Sequence, residues 1–215
     1  MRIHYVSFFR ENDRAEQPLK DYLADLQNEA ETELMISEVR DASKWKPKLL
    51  SLKFDELDIL IIGCHGHNSL TGFCISDEPV RWHELASALK NSLPVSCSLI
   101  FYSCNGGYPG MAHVFYGSGG PDFLFGPYIH VDSDAMKYSV RQIVDWKRRG
   151  SSTPEEACCL VNAVNEWAKS MYPRKKYDQS FLRVQWRERQ KTFRHPTEPG
   201  PDKPSLPPIS LNAGL

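Results

Sequence analysis

Two short segments bring together residue types that can carry out acyl transfer. DILIIGCHGHN closes an apolar run with His65 and His67, and SLIFYSCNGG, about forty residues later, closes another with Cys104. A cysteine is nucleophilic as its thiolate, and a histidine titrating near neutrality can take the thiol proton and later return it to a leaving amine. Gly66 lets the backbone come close to a substrate, and the amides of Gly66 and Cys104 can point at the oxyanion that develops on an attacked carbonyl. Gly106 and Gly107 leave the thiol unobstructed. His65, followed by glycine, is the preferred base, with His67 as its rival. Cys64, His65, His67 and Cys104 are also zinc-ligand types, but adjacent Cys64 and His65 cannot easily reach one ion, so no metal is expected. No phosphate-cradling G-x-x-x-x-G-K-S/T or G-x-G-x-x-G occurs, and no organic cofactor is implied.

The surrounding elements must place these groups. Residues 3–9 form a β-branched and aromatic run, followed by Leu19, Tyr22, Leu23 and Leu26 at helical spacing. LMISEV at 34–39 predicts a strand, 45–52 a short helix, and 58–63 a strand without polar alternation, hence one buried on both faces. An FCIS element, a helix carrying Trp82, Leu85 and Leu89, and an apolar strand at 97–102 follow. FLFGPYIHV at 123–131 is a further strand, and Met136, Val140, Ile143 and Val144 mark a helix. Thr153, Pro154 and Glu156 have the N-cap, N1 and N3 pattern of a capping box, opening a helix with Leu160, Val164, Trp167, Ala168 and Met171 on its apolar face. Strands alternating with helices predict a parallel sheet covered by helices. Ligands collect at the carboxyl ends of such strands, so His65 and Cys104 face one cleft if their strands are neighbours. Asp132 and Asp134 read either as helix caps or as carboxylates lining a pocket for a basic side chain.

The 215 residues suffice for one sizeable core, and a net charge of −1 with 41 % hydrophobic residues describes a soluble globular chain. Nucleic acid is therefore expected as a partner only indirectly, if at all. The start, MRIHYVSFFRENDR, lacks the apolar core and cleavage site of a secretory leader, and no window is apolar enough to span a membrane. Six cysteines without a CxxC pair point to a reducing, cytoplasmic setting. Charge is uneven: residues 169–195 carry nine Lys and Arg against two Asp and Glu, whereas residues 1–168 carry 16 against 23. The basic stretch reads as a solvated final element on an acidic body, with partner docking as the alternative. Six prolines in residues 196–215 imply a flexible tail, so the domain is placed at 1–195.

A strand ending in His-Gly, then a strand ending in Ser-Cys-Asn-Gly, resembles the caspase-like cysteine peptidases, and more narrowly their CHAT-domain group, akin to separase and gingipains. PYIHVDSDAMKYSVRQIVDWKRRGSSTPEEA, residues 127–157, is similar to the strand, paired-acid turn, long helix and S/T-P-x-E-A helix start that follow the CHAT catalytic cysteine. The resemblance covers roughly residues 3–170. It implies an α/β three-layer sandwich with a mostly parallel sheet and a cysteine endopeptidase acting on a protein substrate, with His65 as general base and Cys104 as nucleophile. The caspase form Q-A-C-x-G is absent, so aspartate-directed cleavage is not implied. CHAT domains often follow helical repeats, and the direct start on a strand suggests a regulatory protein partner in trans. The resemblance further implies a prokaryotic antiviral defence or cell-death system. The alternative is a catalytically silent caspase-like binding module. A glycine-rich loop, Tyr108 to Pro121, reads either as an activation or substrate-binding loop or as a plain connector.

Overall fold

The computed structural model describes residues 1–67, 72–107, 120–127, 130–150, 153–173, 181–187 and 193–194. Ten strands lie among them: β1 (Arg2–Ser7), β2 (Glu33–Glu38), β3 (Ile59–Gly63), β4 (His65–Gly66), β5 (Gly72–Ile75), β6 (Glu78–Arg81), β7 (Ser98–Tyr102), β8 (Phe123–Pro127), β9 (Leu182–Arg187) and β10 (Phe193–Arg194). Five helices accompany them: α1 (Gln17–Gln27), α2 (Trp45–Leu50), α3 (Trp82–Leu89), α4 (Ser133–Arg148) and α5 (Pro154–Met171). The main sheet has the order β10-β9-β8-β7-β3-β1-β2. Strands β2, β1, β3, β7 and β8 run parallel, β9 lies antiparallel to β8, and β10 is antiparallel to β9.

Every residue of β3, β7 and β8 is buried, because helices cover both faces of the sheet. Alternate side chains therefore enter different cores. Ile59, Ile61, Ile100, Tyr102, Phe123 and Phe125 pack with the apolar faces of α1, α4 and α5. Leu60, Ile62, Leu99, Phe101 and Leu124 pack on the other side with Trp45 and Leu49 of α2 and Trp82, Leu85 and Leu89 of α3. The result is the three-layer α/β arrangement expected from the continuous apolar runs. The capping box of Thr153 and Glu156 opens α5 as the sequence predicts.

Two local outcomes differ from the sequence reading, and one element that the sequence leaves unplaced finds its sheet. The strand expected over 123–131 ends at Pro127, and the Val131 amide turns instead to the Cys104 sulfur. The segment around FCIS is part of a separate three-stranded sheet, β4-β5-β6. The expected solvated element contributes β9, whose Leu182, Val184 and Gln185 are buried. Its LRVQWR pattern alternates apolar and polar residues, so Arg183 does not prevent it from closing the sheet. Residues 108–119 of the glycine-rich loop and the proline-rich tail lie outside the described residues.

Candidate active site

Strand order reverses between β1 and β3: β1 leads to α1 on one face, whereas β3 leads towards α3 on the other. Connections departing to opposite faces leave a crevice at the carboxyl ends of the two strands. His65 stands at that edge, in β4, immediately beyond Cys64. The strands β3 and β7 pair directly, Gly63 opposite Tyr102, so the segments carrying His65 and Cys104 leave the sheet side by side.

Gly66 measures how close they come. A Cβ built there would overlap the Cys104 carbonyl and stand 3.1 Å from the Cys104 Cβ. Only a glycine permits this backbone approach. Cys104 lies in a tight turn in which Ser103 Oγ donates to the Cys104 carbonyl at 3.0 Å and Asn105 adopts a left-handed φ of 61°. Asparagine tolerates that conformation better than most residues. The Asn105 side chain is itself buried, with neither amide end hydrogen-bonded. Gly107 N–H donates to Pro127 O at 2.7 Å, tying this turn to the end of β8.

The Cys104 thiol is partly buried. The Val131 N–H donates to its sulfur at 3.4 Å, and the S–H faces Val131 O at 3.9 Å. Burial pushes the thiol pKa up, and the Val131 contact offsets only part of this. The resting group is therefore the neutral thiol. His65 is half exposed, with Phe9 meeting its ring edge-on at a centroid distance of 4.9 Å. Its Nε2 lies 2.7 Å from Asp13 Oδ2. Asp13 lies in the loop between β1 and α1, and sequence reasoning misses it. The available signal was positional, since a polar loop leaving the carboxyl end of a strand next to β3 borders the same crevice.

His67 continues from β4, and its N–H donates to Gly72 O at 2.8 Å. Asp132 is the N-cap of α4, accepting from the Asp134 amide at 3.3 Å. Asp134 has a different surrounding: with Asp13, Asp21, Asn12, Arg14 and Lys137 it borders an open cavity of about 390 Å³ between the start of α1 and the start of α4. Its carboxylate is 3.6 Å from Lys137 Nζ, an exposed ion pair that contributes little. Among the described residues no cluster of three or more His, Cys, Asp or Glu side chains is arranged to hold a metal ion. No described helix is long and apolar enough to cross a membrane.

A scan against protein-family models gives no match, and a search of curated proteins gives none. Among solved structures, the chain is similar to a secreted C11 cysteine protease from Bacteroides thetaiotaomicron, crystallised in complex with an irreversible peptide inhibitor. The two share 12 % identity at a TM-score of 0.50, over 86 % of this chain and 66 % of that one, so the chain spans just under two thirds of the protease's length. At this identity the likeness is one of fold: a mostly parallel sheet between helical layers, the caspase-like arrangement.

Proposed function

We propose that the chain is a cysteine endopeptidase that hydrolyses peptide bonds in a protein substrate, with Cys104 as nucleophile and His65 as general base and acid. The observation that carries this reading is the contact of Gly66 with Cys104, which brings a histidine and a thiol from two strand ends to one crevice. Because the resting thiol is neutral, deprotonation accompanies attack. His65 takes the Cys104 proton, the sulfur bonds to the scissile carbonyl carbon, and the amides of Gly66 and Cys104 stabilise the oxyanion. The protonated imidazole then donates to the leaving amine as the C–N bond breaks. Water activated by the same imidazole hydrolyses the thioester and regenerates the thiol.

The cavity bordered by Asp134 suits a Lys or Arg side chain at P1, which would displace Lys137 from its ion pair. Asp132 serves as the cap of α4. We place the protein in the cytoplasm on its six free cysteines, under control by a protein partner and within a prokaryotic defence system, as the CHAT resemblance implies. One observation favours the second reading, a silent binding module: burial raises the Cys104 pKa rather than activating it.

A peptide chloromethyl ketone separates the readings. Wild type should be labelled covalently at Cys104, faster with Arg than with Asp at P1, and should cleave the matching amide substrate. Cys104→Ala should lose both while unfolding at an unchanged temperature. Labelling that persists in Cys104→Ala, or absent turnover with every peptide, would favour the binding module.

A further inference from the structure

Resting on the dyad reading above, we propose that Asp13 is the positioning residue of His65, fixing which ring nitrogen is free to act as base. Its two oxygens have separate tasks. Oδ1 accepts the Ala15 N–H at 2.9 Å and so locks the carboxylate against its own loop, while Oδ2 lies 2.7 Å from His65 Nε2. The loop is anchored more deeply than its charged sequence suggests. Glu16, with a fully buried side chain, accepts from the Tyr5 hydroxyl at 2.6 Å and from Lys20 at 2.8 Å. The Tyr102 hydroxyl, at the end of β7, donates to Ala15 O at 2.8 Å. The holder of His65 is thus tied to β1 and to the strand that delivers Cys104.

A carboxylate only accepts hydrogen bonds, so the Nε2 facing Asp13 must carry the ring proton. The neutral imidazole then has its lone pair on Nδ1, which is the nitrogen left to take the Cys104 proton. When the ring becomes charged during attack, the same carboxylate stabilises it without moving. Asp13 is 15 % exposed against 53 % for His65, so the carboxylate is the more sheltered and better-fixed of the two. Phe9 bounds the ring at its edge.

Asp13→Asn tests the assignment because it keeps the loop and changes the proton. The Ala15 N–H still needs an acceptor, so the Asn oxygen takes that side and its NH₂ faces His65. Nε2 must then accept, and the ring proton moves to Nδ1, where it blocks the base. Long-range ¹H–¹⁵N spectra of the full chain at about pH 8, above the ordinary imidazole range, should show the Nε2–H tautomer in wild type and the Nδ1–H tautomer in Asp13→Asn. The His65 signal is assigned by its loss in His65→Gln. In peptide hydrolysis, kcat should fall on the order of a hundredfold or more in Asp13→Asn; KM is not the readout, because Asp13 also borders the cavity assigned to P1. Asp13→Ala, which forces neither tautomer, should fall less far. A merely structural Asp13 predicts the opposite order, because Ala loses the loop contact that Asn keeps. An unchanged tautomer in Asp13→Asn, or Ala worse than Asn, overturns the proposal. If wild type hydrolyses no peptide, the peptidase reading fails, and the tautomer spectra still decide the role of Asp13.

Discussion

At the scale of single residues, the site depends on a position with no side chain. Gly66 touches the Cys104 carbonyl, and the nearest groups are backbone and Cβ, which cannot swing aside as the end of a flexible side chain can. Gly66→Ala therefore has to push the Cys104 turn away from β4. That turn is held by Gly107 N–H to Pro127 O and by the Val131 amide on the thiol. Overpacking of a fixed site typically costs about 1–3 kcal/mol, and we expect a loss of about 2 kcal/mol in urea unfolding together with loss of peptide turnover. An alanine variant with unchanged stability would show that the two segments separate freely and that their contact does not define the site. The burial of Cys104 has a similar local character. Its sulfur is held by Val131, a residue that sequence alone would have placed in a strand, and under the proposed mechanism that shelter leaves a thiol that needs His65 at the moment of reaction.

At the scale of elements, β9 is fastened to the helical layer by one buried side chain. Asn165 on α5 bridges to β9 twice, donating from Nδ2 to Leu182 O at 3.0 Å and accepting the Leu182 N–H at Oδ1 at 2.8 Å. Both partners are buried, so Asn165→Ala leaves a backbone donor and a backbone acceptor without replacement. A loss of about 2–3 kcal/mol in chemical denaturation is expected, more than for removal of one exposed bond. A loss well under 1 kcal/mol would mean that water enters and satisfies Leu182. This strand also shows what was hard to see in the sequence. The buried strands β3, β7 and β8 announce themselves as apolar runs, and the two chemically capable segments are conspicuous because each ends one of these runs. Strand β9 is masked by the surrounding cations, although its apolar residues alternate. The β5–β6 hairpin turns through Ser76 and Asp77, both at positive φ, without the Asn-Gly or Asp-Gly pair that marks such turns. Asp13 is one of several charges in RENDRAEQ, and nothing local tells which of them folds back on a histidine 52 residues away.

At the scale of the whole molecule, the sheet divides two cores, and its β1–β2 edge contains a titratable group that folding must keep neutral. His4 on β1 is 3 % exposed. Its Nε2 lies 2.9 Å from Ser37 Oγ on β2, its ring is 5.5 Å from that of Phe54, and its buried Nδ1 has no hydrogen-bond partner. Desolvation lowers its pKa, since nothing nearby compensates a second proton. The sign follows from proton uptake. Above about pH 6.5, the ordinary imidazole value, His4 is neutral folded and unfolded, and the native state has its full stability. As pH falls below that value the unfolded chain binds the proton first, so stability drops until the lower native pKa is reached. The limiting slope for one such group is about 1.4 kcal/mol per pH unit. Other groups titrate in the same range, and His4→Gln isolates this one, because glutamine can still hydrogen-bond Ser37 but takes up no proton. Urea midpoints measured at about pH 7.5 and pH 5 should fall further on acidification in wild type than in His4→Gln, so that the gap between the two proteins changes with pH. A constant gap would show that His4 takes its proton in the native state as readily as in the unfolded chain, with water reaching the β1–β2 edge.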